Sequence, residues 1–269
     1  SVATYRNGTL AEKIDYSYTN AVIHRQGLGF CGFGSITSVD SNSRYKTLTY
    51  DPYKYGVLIK ETTSGYETIY NYAMARRDNG TLKLYMTSKI EDDFLKETHT
   101  VRLIDYDEYL NPKYVAVYYP NGITTNTTNL YSNNTGVGNG YSIGFLYDQT
   151  HVTHRTGTQS LTERMFIPTH SSMRPNVKLF YKGESLTENN VFTYDSLGNV
   201  TTHKVTPYSS TVVQTTTFTY DSHGRLIKET NPLGLSSEYT YGTDGRMSSS
   251  KDKRGNATTY TYDSFGRET

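Results

Sequence analysis

Hydrophobic and polar residues alternate along the last third of the chain, residues 192–269, and the alternation repeats. Each copy opens with an aromatic residue, a threonine and a tyrosine. Alternation with a period of two is typical of a β-strand that packs one face. Tyr220, Tyr241 and Tyr262 are 21 residues apart, and Tyr194 precedes Tyr220 by 26. A fixed period in this range indicates a repeat architecture.

A turn signal follows these tyrosines at once. In its full form the motif places Asp221 after Tyr220 and Gly224 three residues later. Asp favours the first position of a type I turn, and Gly tolerates the positive φ that closes such a hairpin with a bulge. Each unit is therefore predicted to be a strand, a tight turn, a strand and a looser turn, as at residues 231–234. The residues assigned to the repeat turns are Tyr194, Asp195, Gly198, Tyr220, Asp221, Gly224, Arg225, Tyr241, Gly245, Arg246, Tyr262, Asp263, Gly266 and Arg267.

A looser copy of the repeat begins 170 residues upstream, at Tyr50. Residues 58–62 and 226–230 share the sequence Leu-Ile-Lys-Glu-Thr. Two further Tyr-Asp pairs, at 106–107 and 147–148, lack a glycine three residues after the aspartate and are interpreted as degenerate at best. We therefore expect one repeat domain over residues 1–269, with degenerate repeats in 1–190 and regular repeats of about 21 residues in 191–269.

The motif Tyr-Asp-x-x-Gly-Arg resembles the YD repeats of the Rhs family, which also occur in shell components of bacterial ABC toxins and in animal teneurins. It is complete at residues 220–225 and 262–267. The first copy has Asn199 in place of the arginine, and the third has Gly242 in place of the aspartate. The resemblance implies hairpins added side by side into a hollow shell that encloses a C-terminal toxin or other cargo of the same parent chain.

A glycine-rich segment near the N-terminus allows two interpretations. It contains the dinucleotide-binding pattern Gly-x-Gly-x-x-Gly, but that motif needs a following helix, and residues 35–43 are typical of strand and turn instead. The segment is also similar to a Gly-x-Gly-Phe-x-Gly-Phe stretch of Rhs and ABC-toxin shell proteins, whose glycines let an aromatic strand kink and pack closely. We favour this second interpretation, which singles out Gly27, Gly29, Phe30, Gly32 and Phe33.

Two windows depart from the strand pattern. Residues 88–97 have apolar residues near one face of a helix, but the window is short and weakly capped, so a strand is favoured. Residues 126–140 are rich in Asn, Thr and Gly and are predicted to form an exposed loop.

The amino-acid composition of the chain disfavours several classes of protein. The chain has 27 tyrosines, no tryptophan, and a net charge of +1 from 27 basic and 26 acidic residues. Tyrosine- and threonine-rich strands favour a sheet stabilised by cross-strand pairs rather than by a large aliphatic core. The balanced charge does not favour nucleic-acid binding, and no apolar run is long enough to span a membrane as a helix. Cys31 is the only cysteine, which excludes a disulfide within the chain and fits a bacterial protein.

Two groups of residues could form a metal-binding or catalytic site. His151, His154 and His170 form the only histidine cluster, but residues three apart on a strand point to opposite faces, so exposed strand histidines are the favoured interpretation. Asp105 and Asp107 would share one face of a strand, as the carboxylate pair of a glycosidase requires, although this spacing is common by chance. We expect no cofactor, no metal and no nucleophile elbow.

The sequence thus predicts an all-β protein whose consecutive antiparallel hairpins form a long, twisted, curved sheet. The function that follows is structural: a YD-repeat segment of a larger secreted or cell-surface bacterial protein that encapsulates or presents a C-terminal effector. Both chain ends fall within strand-like sequence, so a fragment with edge strands prone to self-association is expected. Two alternatives stay open: a carbohydrate- or cell-wall-binding surface built from exposed tyrosines, and a glycoside-processing enzyme that uses Asp105 and Asp107.

Overall fold

The computed structural model describes residues 1–6, 9–24, 29–76, 80–135, 142–171 and 173–269. Within these ranges the chain forms twenty β-strands and one short 3-10 helix, Pro52–Lys54. The first ten strands are β1 Val2–Arg6, β2 Thr9–His24, β3 Gly29–Asp40, β4 Tyr45–Asp51, β5 Val57–Thr63, β6 Tyr66–Arg76, β7 Leu82–Asp93, β8 Thr98–Tyr106, β9 Pro112–Tyr118 and β10 Ile123–Asn134. The others are β11 Ser142–Arg155, β12 Leu161–Ser171, β13 Arg174–Lys182, β14 Ser185–Tyr194, β15 Val200–Pro207, β16 Gln214–Tyr220, β17 Leu226–Thr230, β18 Ser236–Tyr241, β19 Met247–Lys251 and β20 Ala257–Thr259.

The twenty strands belong to one sheet. Each strand pairs antiparallel with the next from β1 to β10. The same holds from β12 to β20. The prediction of an all-β fold made of consecutive antiparallel hairpins is therefore confirmed. Curvature of the sheet into a shell stays a prediction.

The chain divides into two compact units, which are described separately. One comprises Ser1–Asn129 with His151–Ser160, and the other Leu130–Thr150 with Leu161–Thr269. The regular repeats lie in the second unit. The predicted boundary near residue 190, between degenerate and regular repeats, stays a prediction.

Little of the chain is deeply buried. Among the described residues, the buried apolar side chains are Ala116 and Val117 in the first unit and Phe145 and Ile167 in the second. The chain exposes 17,864 Å², about half as much again as a compact monomer of its mass would expose. Among the described residues, each strand therefore gains most of its packing from the strands beside it.

The two faces of a repeat strand differ in the way the alternation predicts. In β16, Phe218 and Tyr220 are half-buried, whereas the alternating residues Thr217 and Thr219 are exposed. On the threonine face, hydroxyls form cross-strand hydrogen bonds, as where Thr240 contacts Ser248 and Ser249 at 2.8 and 2.7 Å. Aromatic packing on one face and hydroxyl pairs on the other thus supply the cross-strand contacts that stabilise a sheet.

Both windows that departed from the strand pattern contain strand. Residues 88–93 complete β7, and a turn with Glu97 at φ 51° follows, so the favoured interpretation of a strand is confirmed. The predicted loop is wrong for residues 126–134, which belong to β10, while residues 136–140 lie outside the described residues. Asn and Thr serve as strand residues here because their side chains find partners: Thr127 contacts His151 at 2.9 Å, and Asn129 donates to the Pro112 carbonyl at 2.7 Å.

Candidate functional site

The repeat turn at Asp221 shows the geometry on which the repeats depend. The Asp221 N–H donates to the Arg225 carbonyl at 2.9 Å, and the Gly224 N–H donates to the Asp221 carbonyl at 3.0 Å. The Asp221 Oδ1 accepts from the backbone N–H groups of His223 and Arg225 at 2.9 and 3.0 Å. Its Oδ2 accepts from the Arg225 Nε at 2.7 Å. One carboxylate therefore holds both the turn and the arginine that follows it.

Hydrogen bonds to this carboxylate stabilise its charged form. The Arg225 backbone N–H has the largest effect and, together with the Arg225 guanidinium, lowers the pKa of Asp221 below its usual value. The pKa of Asp263 is lowered in the same way by Arg267. In the first copy, Asn199 replaces the arginine, and its Nδ2 donates to the Asp195 Oδ2 at 3.0 Å. Asparagine and arginine thus serve the same carboxylate oxygen.

The third copy keeps the turn without the aspartate. The Gly242 N–H donates to the Arg246 carbonyl at 2.8 Å, and the Gly245 N–H donates to the Gly242 carbonyl at 3.0 Å. Asp244, two residues further on, accepts from the Arg246 backbone N–H at 3.1 Å and from its guanidinium at 2.9 Å. The backbone turn is therefore preserved although the carboxylate has moved.

The repeat glycines have the positive φ that this turn requires. The angles are 78° at Gly224 and 80° at Gly266, in the left-handed region that residues with a Cβ rarely adopt. A register shift between Thr219 and Tyr220, opposite Leu226, marks the accompanying bulge.

Each repeat tyrosine reaches back to the preceding repeat. The Tyr241 hydroxyl donates to the Leu226 carbonyl at 2.9 Å, and the Tyr262 hydroxyl donates to the Met247 carbonyl at 3.0 Å. The Tyr220 hydroxyl donates to the Val200 carbonyl at 3.0 Å. In each case the acceptor directly follows the arginine or asparagine of the preceding turn. Burial raises the pKa of Tyr220 and of Tyr194, whose hydroxyl makes the equivalent bond to Pro175 at 2.7 Å.

The arginine of one turn also packs on the tyrosine of the next. The Arg225 guanidinium lies 4.7 Å from the centre of the Tyr241 ring, and that of Arg246 lies 5.6 Å from the Tyr262 ring. Arginine over an aromatic face is a favourable cation–π arrangement. The guanidinium of Arg246 also occupies the space where a Cβ on Gly266 would project. Tyr, Gly and Arg are therefore linked across repeats as well as within them, which sequence reasoning missed.

Sequence reasoning also missed turns of this type upstream. At Asp107 the backbone bonds are the same, with Asn111 in the last position and Leu110 at φ 67° in place of glycine. Asp107 Oδ2 accepts from the Asn111 Nδ2 at 2.8 Å, and the Tyr106 hydroxyl donates to the Met86 carbonyl at 2.7 Å. The absence of glycine hid this turn, but an Asp followed four residues later by Asn or Arg could have revealed it.

Two other Tyr-Asp pairs behave differently from each other. The Asp51 side chain caps the 3-10 helix Pro52–Lys54. This helix makes the turn after Tyr50 longer than the regular repeat turn, and its glycine, Gly56, has φ 68°. Asp148 lies within β11, where it is buried and forms a bidentate ion pair with Arg164. The pair at 147–148 is therefore not a turn.

The glycine-rich segment forms a strand with a bulge. Of its assigned residues, Gly29, Phe30, Gly32 and Phe33 lie in β3, whereas Gly27 lies outside the described residues. Gly32 has φ 103°, at a register shift in the pairing of β2 with β3. The rings of Phe30 and Phe33 meet edge-on at 5.1 Å. β3 continues to Asp40 without a helix, so a dinucleotide loop is not formed there.

The candidate histidines and carboxylates do not converge. His151 contacts Thr127 at 2.9 Å, His154 contacts Ser160 at 2.6 Å, and His170 packs on Phe145. Asp105 is largely exposed and pairs with Lys113 at 2.9 Å, which lowers its pKa, while Asp107 holds its turn. In the part of the chain that the structure describes, no group of three His, Cys, Asp or Glu residues could hold a metal ion.

One concavity stands out in the first unit. It has a volume of about 580 Å³ and spreads over strands β5 to β9. Tyr66, Tyr70 and Tyr119 line it together with carboxylates and the cations Lys89 and Arg102. The Glu61 carboxylate accepts from Lys46 at 2.8 Å and from the Tyr66 hydroxyl, and these contacts lower its pKa. Neither Asp105 nor Asp107 lines it. No described helix is long and apolar enough to cross a membrane.

The fold and the turns define a class: an all-β protein built by adding hairpin repeats to one sheet. Residues 194–236 and 220–257 match the sequence model of the family RHS Repeat. The resemblance seen in the Tyr-Asp motifs is therefore confirmed over residues 194–257. A search of curated proteins finds no match.

Several solved structures of Tc toxin proteins match the chain at low similarity. A TcdB2–TccC3–Cdc42 structure matches at 11% sequence identity with a TM-score of 0.38. A TcdB2–TccC3 structure without the hypervariable C-terminal region matches at 10% and 0.38, and a Tc holotoxin pore from Photorhabdus luminescens at 11% and 0.36. Each match covers 97% of this chain, but the chain spans only 19% of the length of each of those proteins.

Proposed function

We propose that the chain is a structural wall segment of a larger Rhs-type protein that encloses a C-terminal effector. The observation that carries the proposal is the linkage between repeats: each tyrosine bonds to the carbonyl after the preceding turn, and Arg225 and Arg246 pack on the next tyrosine. Such contacts let units be added without limit, as the wall of an enclosure requires. The match to RHS Repeat supports the same role.

The proposal includes the setting of the parent protein. An encapsulating Rhs protein delivers its cargo outside the producing cell, so secretion or surface display is the expected location. The partners are then the flanking repeats and the effector of the same parent chain. Self-association through exposed edge strands is a further expectation.

Protection of the cargo from protease tests this function in the full-length gene product. The segment downstream of the repeats should resist a protease that digests it readily when it is expressed alone. Gly224→Val with Gly266→Val should open the wall and expose the cargo, whereas Ser222→Ala with Ser264→Ala should leave it protected. Digestion of the downstream segment at the same rate in the wild type and the glycine variant would contradict enclosure.

The concavity of the first unit supports a second candidate, carbohydrate binding. Tyrosine rings that can stack on sugars stand beside Arg102 and several carboxylates, in a space large enough for a small ligand. A glycan array with the wild type and Tyr119→Ala tests this candidate function. Tyr114→Ala is the control, because Tyr114 lies in β9 but does not line the concavity. Binding that is lost only in Tyr119→Ala would support the candidate, and an array without hits would remove it.

A further inference from the structure

The charged residues that line the concavity of the first unit are paired, with one exception. Each lining carboxylate has a lysine or histidine as partner: Glu61 with Lys46 at 2.8 Å, Glu67 with Lys60 at 2.7 Å, Glu91 with Lys89 at 2.6 Å, Asp92 with His99 at 2.6 Å and Asp93 with Lys96 at 3.1 Å. Arg102 is exposed, and no described carboxylate lies within ion-pair distance of its guanidinium. Within the described residues, Arg102 is therefore the cation of this concavity whose charge stays uncompensated.

The register of the sheet also places Arg102 beside a second cation. Lys89 on β7 pairs with Arg102 on β8, so both side chains leave the sheet on the same face. Like charges in directly opposite positions destabilise a sheet. Lys89 is compensated by Glu91 on its own strand, and its Nζ lies 5.9 Å from the centre of the Tyr70 ring. An anion bound at Arg102 would relieve the repulsion that remains.

An aromatic ring is available on the other side of Arg102. Arg102 pairs with the buried Val117 of β9, and Tyr119, two residues beyond Val117, lines the same concavity and is 41% exposed. Diagonal positions on neighbouring strands are about 7 to 8 Å apart, within the reach of aromatic and long side chains. Arg102 and Tyr119 can therefore contact two parts of one small ligand.

These groups define the chemistry of the ligand. A guanidinium binds a carboxylate through two parallel hydrogen bonds, and a tyrosine ring offers a flat apolar face to a sugar ring. The hydroxyls of Thr68 and Thr100, which also line the concavity, can donate to or accept from sugar hydroxyls. A second anionic group on the ligand would meet the carboxylates of Glu91 and Asp93. The lining thus favours a sugar with one carboxylate over a sulfated polyanion.

We propose that the concavity binds a sugar acid, a sugar ring that carries one carboxylate and no sulfate. The carboxylate pairs with the Arg102 guanidinium, and the ring stacks on Tyr119. This inference rests on the carbohydrate-binding candidate described above and names the class of sugar that this site recognises. It is independent of whether the parent protein encloses a cargo.

Two matched probes test the carboxylate, methyl glucuronide and methyl glucoside. Ligand-observed NMR titrations of the whole chain should show that the glucuronide binds about tenfold more tightly than the glucoside, as one hydrogen-bonded charge pair predicts. Arg102→Gln should remove this preference and leave the affinity for the glucoside unchanged. Arg76→Gln is the matched control, because Arg76 is an exposed arginine at the end of β6 that does not line the concavity. The full preference should persist in that control.

The outcomes separate this inference from the candidate function beneath it. Tyr119→Ala should weaken the binding of both probes alike. Equal affinity for the two probes, or a preference that survives Arg102→Gln, would overturn the sugar-acid inference and leave carbohydrate binding standing. Failure of both probes to bind would remove both. A sulfated glucuronide should bind less tightly than the glucuronide, and tighter binding would contradict the charge argument.

Urea denaturation shows whether Arg102 serves binding or stability. Without ligand, Arg102→Gln should leave the urea midpoint unchanged or raise it, because the substitution removes the repulsion from Lys89. The glucuronide should raise the midpoint of the wild type, as any ligand specific for the folded state does, and should raise that of Arg102→Gln less. A lower midpoint of the unliganded variant would assign Arg102 to stability and overturn the proposal.

Discussion

Glycine in the repeat turn has two separate tasks at the scale of a single residue. It adopts a positive φ, as at Gly224 and Gly266, where a side chain would be strained. It also leaves room for the arginine of the preceding repeat, which lies where the Cβ of a residue at 266 would be. The positive φ could be predicted from the sequence, because the motif Asp-x-x-Gly is typical of this turn. The second depends on a neighbour 21 residues away and could not be predicted from the motif.

Three substitutions in the Asp221 turn should differ in their cost. Gly224→Val should destabilise by about 1 to 3 kcal/mol, because a β-branched residue is strained at positive φ. Asp221→Ala should fall between the other two variants, because it loses the turn hydrogen bonds, and Ser222→Ala, at an exposed position, should change the free energy of unfolding by less than about 0.5 kcal/mol. Urea denaturation orders the three variants. A Gly224→Val as mild as Ser222→Ala would show that the turn assignment is wrong.

A pair of glycine-to-alanine substitutions separates the two tasks of glycine. Gly255 has φ 93° and no atom near the position of a Cβ, so Gly255→Ala measures the strain alone. Gly266→Ala adds displacement of the Arg246 guanidinium from Tyr262 and should cost about 0.5 to 1 kcal/mol more. The free energies of unfolding of both variants give this difference. In the background Arg246→Ala the difference should vanish, and its persistence there would refute the role of the arginine.

At the scale of the element, each repeat hairpin is closed by a turn whose carboxylate pairs with the arginine or asparagine that follows, as at Asp221 and Asp195. The aromatic–threonine alternation was enough to predict the strands and their antiparallel pairing. The degenerate turns were harder, because Leu110 and Ser43 adopt positive φ at 67° and 60° where the motif expects glycine. What these turns retain is an aspartate whose carboxylate accepts backbone N–H groups, at Asp107 and Asp40. In these two upstream turns the carboxylate is thus retained where the glycine is not, whereas the turn at Gly242 keeps its glycine, Gly245, without the aspartate.

This reliance on carboxylates predicts a loss of stability in acid. Hydrogen bonds lower the pKa of the turn aspartates in the folded chain, at Asp195, Asp221, Asp244, Asp252 and Asp263. In the unfolded chain these groups titrate near about 3.9. Their contribution is therefore complete above that value and is lost as the pH falls through the lower folded pKa values.

Urea midpoints measured between pH 7 and pH 2.5 should accordingly fall below about pH 4. Asp221→Asn should flatten this dependence, since an amide cannot titrate. Asn231 shows that an amide can hold such a turn, because its Oδ1 accepts from the backbone N–H groups of Leu233 and Leu235, at 3.0 Å each. An acid dependence equally steep in Asp221→Asn would assign it to other groups.

At the scale of the whole molecule, stability is distributed along the sheet rather than concentrated in a core. The prediction of few buried aliphatics followed from composition, and the described structure has four buried apolar residues. The loop predicted over residues 126–140 is wrong for residues 126–134 for a related reason: where few described side chains are buried, Asn and Thr are good strand residues if a neighbour supplies a hydrogen bond. Contacts between a turn and the next repeat could not be predicted from a single unit, because Arg225 and Tyr241 become neighbours only through the register of the sheet.

A sheet stabilised by neighbours should respond to damage locally. In a repeat array, stability is approximately a sum of unit terms and nearest-neighbour terms, so a substitution weakens its own unit and the adjoining ones. Gly224→Val should therefore speed amide exchange in β15 to β18, where the contacts of its turn lie. Exchange in β6 to β8, which belong to the first unit, should change less than about twofold. Residue-resolved hydrogen exchange of the wild type and Gly224→Val at one pH gives the change in exchange rate at each amide. Ser222→Ala is the control, and its exchange rates should equal those of the wild type. A uniform acceleration over all protected amides would mean that the described chain unfolds as one cooperative unit, and the nearest-neighbour account would then be wrong.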